Sequence, residues 1–265
     1  MSTTAPFTFL RQGRGEPLVL LHGFASSSGF WAPTIAALAS RYDVIAPDWP
    51  GFGAAQDVPP CADLRQFATH LLTLLETLGV SRCHFMGFSM SGFVVQHLMQ
   101  HHPERVRSVI LYGAGTHLDM ARRFEPLDTT IARLRDEGVA ATIERVLPAW
   151  LALGAASPHL ATCREAARGM TVEAGIAAMR AMATADFRGK LETYAGPALV
   201  IAGDRDHTHP PASALALWRE LPQAQLAILP GCGHAAHWEQ PDWFHHMVSA
   251  FLDDRHPPGW PVAPS

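Results

Sequence analysis

The stretch Met86-Gly-Phe-Ser-Met-Ser-Gly92 constrains this chain more than any other. It follows an apolar run, Arg82-Cys-His-Phe-Met86, and precedes a helix-patterned one, Phe93-Val-Val-Gln-His-Leu-Met99. That context reads as strand, sharp turn, helix. A serine at the tip of such a turn sits in a strained backbone conformation, so its neighbours have to be glycine or nearly as small. The strain has a use. It presents the Ser89 hydroxyl at the end of a buried strand and aims the next backbone N–H groups, at a helix N-terminus, to where negative charge can develop. Ser89 is the candidate nucleophile.

Strand and helix patterns alternate on both sides of this turn. Leu18–Leu21 is a continuous apolar run ending at His22-Gly23, as expected of a strand buried on both faces. Val44–Ala46 closes at Pro47-Asp48, and Cys83–Phe88, Val106–Tyr112, Ala198–Ala202 and Leu226–Leu229 follow the same plan. Trp31–Ala39 and Leu64–Leu78 carry apolar residues at helical spacing, with Gly79 as a C-terminal stop, and a last helix is expected over Trp238–Leu252. This alternation predicts an α/β fold with a doubly wound, mostly parallel sheet. Residues 116–194 break the rhythm: they are rich in Ala, Arg, Met and Leu and read as about four helices. The expected organisation is a core over 1–115 and 195–254, an inserted helical lid over 116–194 at the carboxyl edge of the sheet, and a proline-rich, disordered tail over 255–265.

Composition narrows the functional classes. With 265 residues, 48 % apolar and 17 % charged, a large core can be buried. The net charge of −4 and the lack of a basic stripe argue against nucleic acid as a partner. No apolar run approaches the roughly 18–20 residues that span a bilayer, so no membrane partner is expected. The N-terminus lacks a basic segment followed by an apolar one, so no secretory signal is read there. Cys61, Cys83, Cys163 and Cys232 are scattered, which predicts reduced thiols in a cytoplasmic protein and no zinc or other metal site.

A serine hydroxyl is a weak nucleophile and needs a histidine base, itself oriented by a carboxylate. Gly203-Asp-Arg-Asp206 directly follows a strand pattern, and Asp206, further out in the loop, is the candidate acid. Asp204 is expected to shape the turn by accepting backbone hydrogen bonds, and Asp119, after the Val106–Tyr112 strand, is the rival acid. Gly231-Cys-Gly-His234 follows the last strand pattern, and among fifteen histidines that position singles out His234 as the base. Two backbone N–H groups should form an oxyanion hole: Met90, next to the nucleophile, and Phe24, after the His22-Gly23 turn. Trp31, Trp150, Leu151, Met170, Met179 and Met182 are candidates for an apolar substrate pocket, although such side chains serve equally to pack a core.

Together, Leu20-Leu-His-Gly-Phe24, Pro47-Asp-Trp-Pro-Gly-Phe-Gly53, Gly87-Phe-Ser-Met-Ser-Gly92, Gly203-Asp-Arg-Asp206 and Gly231-Cys-Gly-His-Ala-Ala-His-Trp-Glu-Gln-Pro241 resemble the α/β-hydrolase superfamily over nearly the whole chain. The stretch Ala178–Leu191 is similar to the 3-oxoadipate enol-lactonase and small-ester esterase branch. The resemblance implies a serine hydrolase without a cofactor, acting on a small ester or lactone. C–C bond hydrolysis of a vinylogous diketone and a non-catalytic ligand-binding role are the alternatives. Serine at the elbow argues against the dehalogenases and epoxide hydrolases of this fold, which place Asp there. One departure is Ser91, where the usual elbow has glycine; its side chain is expected to point into its own helix.

Overall fold

The computed structural model describes residues 7–120 and 125–253; the tail read as 255–265 lies outside them. Seven strands form one sheet: β1 (Phe9–Gln12), β2 (Glu16–Leu21), β3 (Tyr42–Pro47), β4 (Cys83–Phe88), β5 (Val106–Tyr112), β6 (Ala198–Gly203) and β7 (Ala224–Leu229). Their order is β1-β3-β2-β4-β5-β6-β7, with β1 antiparallel to β3 and every other pairing parallel. β3, β4 and β6 are buried at every residue, which is why they read as unbroken apolar runs. β1 has no such pattern. It is a four-residue edge strand with three exposed residues, held to β3 by backbone pairing (Phe9 opposite Pro47) and by Arg11, whose guanidinium donates to both Asp43 carboxylate oxygens at 2.9 and 2.7 Å.

The helices are α1 (Ala32–Leu38), α2 (Leu64–Thr77), α3 (Met90–His101), α4 (Leu127–Val146), α5 (Leu160–Ala166), α6 (Val172–Ala183), α7 (Pro211–Arg219), α8 (Ala236–Glu239) and α9 (Pro241–Leu252). Asp63 caps α2 by accepting the Gln66 N–H at 2.8 Å, and Gly79 ends it with φ +71°. The single helix expected over Trp238–Leu252 is two: Gln240 leaves the helical region (φ −138°, ψ 59°) because Pro241 disfavours a helical residue before it, and Pro241 then starts α9.

Between β5 and β6 the chain leaves the sheet for α4, α5 and α6, with 3₁₀ turns between them. Gly138 (φ 82°, ψ 179°) breaks α4 into two, so with α5 and α6 the described residues of this insertion form four helical pieces, the number expected. Its entry and exit are pinned together by a bridge between His117 and Asp186 and by the Phe187 N–H donating to Thr116 O at 2.8 Å. It packs on the loop after β3, where the Thr171 N–H donates to Gly51 O at 2.9 Å and a side chain at Gly51 would strike Ala174 Cβ at 2.3 Å.

Because six strands run parallel, the loops after β2, β4, β5, β6 and β7 all open on one edge of the sheet. The registers align their ends: Leu21 with Gly87, Phe88 with Tyr112, Tyr112 with Ile201, and Gly203 with Leu229. Among the described residues no helix is long and apolar enough to cross a membrane, and no group of three or more His, Cys, Asp or Glu is placed to hold a metal.

Buried imidazoles tie these loops together. The Trp49 N–H donates to His22 Nε2 at 3.0 Å, so the ring proton is on Nδ1, which donates to Gly23 O at 2.8 Å. His237 sets its Nε2 against Phe30 O at 3.2 Å and its Nδ1 against the Tyr112 hydroxyl at 3.1 Å. Burial lowers the pKa of both rings, that of His237 to about 3. Below the ordinary histidine value of 6.5, the unfolded chain takes up a proton that the folded His237 refuses until about pH 3. Stability is therefore complete above pH 6.5 and is lost as pH falls, with His237 alone contributing on the order of 5 kcal/mol by pH 3. Urea midpoints measured from pH 7.5 to 4.5 should fall, and His237→Gln should flatten that slope by about one proton; an unchanged slope would exonerate this ring.

Candidate active site

Ser89 stands between β4 and α3 with φ 53° and ψ −116°, a left-handed backbone that an L residue adopts only when its surroundings impose it. Those surroundings are tight. A Cβ at Gly87 would fall 2.6 Å from Ser91 O, and one at Gly92 would fall 2.4 Å from Ala114 Cβ. The Ser89 N–H donates to Tyr112 O at 2.9 Å, which pins the turn to the end of β5. Ser91 does not point into its own helix as expected. It is fully buried and donates to His22 O while accepting the Trp49 Nε1–H at 2.9 Å, so it joins the elbow to the loop after β2.

The loops that carry Asp206 and His234 meet on the other side. A side chain at Gly203 would strike Gly233 O at 2.2 Å, so the loop after β6 lies directly on the loop after β7. Asp206 Oδ2 accepts from His234 Nδ1 at 2.7 Å, while Oδ1 accepts the Thr208 and His209 N–H groups, both at 2.8 Å. Burial by itself would raise the Asp206 pKa. The adjoining His234, and behind it His209 and its N–H, outweigh burial and leave the carboxyl below its ordinary value. Asp204 accepts the Gly231 N–H at 2.8 Å, the turn-shaping role expected of it. Asp119 lines the cavity and is not the partner of His234 Nδ1.

With Nδ1 donating to the carboxylate, the neutral His234 ring keeps a bare Nε2. That nitrogen is buried and makes no hydrogen bond among the described residues. The ring lies over Gly113, where a Cβ would fall 2.8 Å from His234 Cε1, and over Phe88, with ring centroids 4.6 Å apart. Ser89 and His234 thus flank the same strand end. Tyr112 reinforces this by donating its hydroxyl to His234 O at 2.7 Å. Nothing in the sequence pattern marks Tyr112 for that role, since it reads as the last apolar residue of a buried strand. A hydroxyl, an imidazole with a bare nitrogen and a buried carboxylate on that imidazole are the groups that serine nucleophilic chemistry requires.

Gly23 approaches Ser89 so closely that a Cβ there would be 3.1 Å from Ser89 Cβ, which places Phe24 next to the elbow. The Phe24 N–H makes no hydrogen bond among the described residues, and the Met90 N–H, first in α3, has no intrahelical acceptor.

Ser89 opens into a cavity of about 140 Å³. Phe24, Val146, Ala149, Trp150, Met179 and Met182 form its apolar wall, and His117, Asp119, His207, Thr208 and Ser213 its polar one. The sequence pattern pointed to Trp150, Met179 and Met182; of the polar wall it singled out Asp119 alone, as a rival acid, because those loops carry no periodicity. Trp31 and Leu151 do not line it. Trp31 is fully buried under Phe88, Tyr112 and His237, with ring centroids 4.9–6.4 Å away, and Leu151 is buried behind the wall, its backbone 3.1 Å from where a Gly233 Cβ would lie. Met170 packs against Gly175 instead.

The family model described as alpha/beta hydrolase fold matches residues 16–168 and 159–241. The chain is 31 % identical to a pimeloyl-[acyl-carrier protein] methyl ester esterase of Nitrosomonas europaea, over 90 % of this chain and 95 % of that one. It is also 31 % identical to a protein of Pseudomonas savastanoi pv. phaseolicola bearing the name carbamate hydrolase RutD, over 89 % and 93 %. Among solved structures, the enol-lactonase from Burkholderia xenovorans LB400 superposes with a TM-score of 0.85 at 25 % identity, over 93 % and 96 % of the two chains. The chain belongs to the α/β-hydrolase family and is a hydrolase.

Proposed function

We propose that this hydrolase cleaves a small carboxylic ester or lactone through Ser89, His234 and Asp206. The observation that carries the proposal is the left-handed Ser89 at the end of β4, flanking the same strand end as the buried His234–Asp206 pair. His234 Nε2 takes the proton of the Ser89 hydroxyl as Oγ attacks the acyl carbon. The Phe24 and Met90 N–H groups hold the oxyanion, and Asp206 keeps the imidazole in the tautomer with a bare Nε2. Protonated His234 gives its proton to the leaving alkoxide. It then activates water to cleave the acyl-enzyme, so no cofactor is needed. His234 Nε2 makes no hydrogen bond among the described residues, so in this reading its bond to the Ser89 hydroxyl forms in the complex with substrate.

The cavity volume supports the small acyl group. A cavity of about 140 Å³ is close to the roughly 150 Å³ that holds one benzene molecule, too little for a long acyl chain. Apart from Phe24, its apolar wall is contributed by the insertion, and in this reading residues 116–194 are the lid that closes the site against water. Four buried, unpaired cysteines, whose pKa values burial raises to about 12, fit a reducing, cytoplasmic setting.

Hydrolysis of p-nitrophenyl esters of increasing acyl length should be fastest for the short chains, and Ser89→Ala should lower turnover at least about 10³-fold without changing the fold. Wild-type turnover in that variant would refute the nucleophile. No ester turnover, with Ser89 still labelled by a fluorophosphonate, would turn the reading toward C–C hydrolysis, and neither turnover nor labelling toward a binding protein.

The two candidate acids separate by substitution. Asp206→Asn leaves the geometry but holds the wrong tautomer and should lower kcat by about 10⁴. Asp119→Asn should leave kcat nearly unchanged, and a large loss there would move the acid.

A further inference from the structure

Glu239 lies in α8, five residues after the proposed base, and the mechanism above gives it no part. Its carboxylate joins two segments far apart in sequence. Oε2 accepts the Gly233 N–H at 2.7 Å, and Oε1 accepts the Ala152 N–H at 2.8 Å. Gly233 immediately precedes His234, and Ala152 ends the Trp150-Leu151-Ala152 stretch of the insertion. Between these two bonds the His234 N–H donates to Trp150 O at 2.6 Å. The two backbones run so close that a Cβ at Gly233 would fall 2.5 Å from Trp150 O and 3.0 Å from Ala152 N.

No sheet or helix ladder links these segments, so the carboxylate supplies two of the three hydrogen bonds that do. What it joins matters. The Trp150 ring lines the cavity and meets the His234 ring edge-on, with centroids 5.7 Å apart. The wall of the acyl pocket and the base therefore move as one body. Bonds from N–H groups to an ionised acceptor are the strong kind, and a carboxylate can serve two donors on opposite sides at once.

We infer that Glu239 is a positioning residue that straps the His234 loop to the Trp150 wall, so that Nε2 is aimed at Ser89 only while the pocket is closed. The inference rests on the proposed role of Ser89 and His234. An acyl group that fits leaves Trp150 in place and the base aimed. One that displaces Trp150 drags the His234 loop with it and loses rate as well as affinity.

Glutamine at position 239 keeps one acceptor but turns an NH₂ group toward the other N–H, so it should hold half the strap; alanine should hold none. With the best p-nitrophenyl ester, kcat per folded molecule should fall about tenfold in Glu239→Gln and about a hundredfold in Glu239→Ala, as expected of a misaimed base, with KM changing less. Fluorophosphonate labelling of Ser89 should slow in the same order. Asp63→Ala, which removes the remote cap of α2, should lower the thermal midpoint and keep the wild-type kcat. Wild-type kcat and labelling in Glu239→Gln, with only a lower thermal midpoint, would overturn the inference, and so would a loss confined to KM. Glu239→Gln decides the matter alone if the alanine variant does not fold. Ser89→Ala separates the two levels: if it is inactive while Glu239→Gln is unaffected, only the strap fails, whereas turnover in Ser89→Ala removes both readings.

Discussion

Tyr112 holds two loops at once, and the site's geometry depends on that. Its carbonyl oxygen takes the Ser89 N–H at 2.9 Å and its hydroxyl donates to His234 O at 2.7 Å. The residue is fully buried, so neither bond has water as an alternative, and leaving the phenol unpaired there would cost about 1–3 kcal/mol. β5 is central in the sheet, paired to β4 on one side and β6 on the other. A residue at its end therefore sits between the serine turn and the loops that carry Asp206 and His234.

Around that tie the molecule keeps several unfavourable features. Ser89 and Ala25 hold positive φ, of order 1–3 kcal/mol each. Asp206 is an ionised carboxyl almost wholly out of solvent, tolerable because three donors surround it. The balance comes from packing. Phe30, Trp31, Phe88 and Trp150 gather around His234 and His237 with ring centroids 4.4–6.5 Å apart, an apolar cluster directly beneath the polar groups. The same cluster keeps water from the rings, which lowers the His237 pKa and strengthens each hydrogen bond beside it.

Ser91 shows how a departure from a family pattern can be absorbed. Glycine is usual at that position, and a side chain there has to find both room and partners. The hydroxyl finds them in His22 O and Trp49 Nε1, so the elbow and the β2 loop are joined through a residue that the pattern alone would mark as a misfit.

Much of this was written in the order of residues. Strands buried on both faces appear as unbroken apolar runs, and parallel strands bring the residues after them to one edge, so Ser89, Asp206 and His234 could be picked out as loop residues following such runs. Gly87 and Gly92 announced the tight turn because only a missing Cβ allows the approach to Ser91 O and Ala114. The edge strand β1 was silent, since backbone pairing at a sheet edge requires no apolar side chains. The cavity was legible only in part. Trp150 and Met179 line it while Trp31 and Leu151 pack behind it, and nothing local separates these outcomes, because an apolar side chain suits a core and a pocket equally. Periodicity along one element establishes strands, turns and the order of the chemical groups. Which faces meet, which carboxylate reaches which imidazole, and which tryptophan sees the cavity are set by contacts between segments distant in the chain, and those exist only once the sheet has brought its ends together.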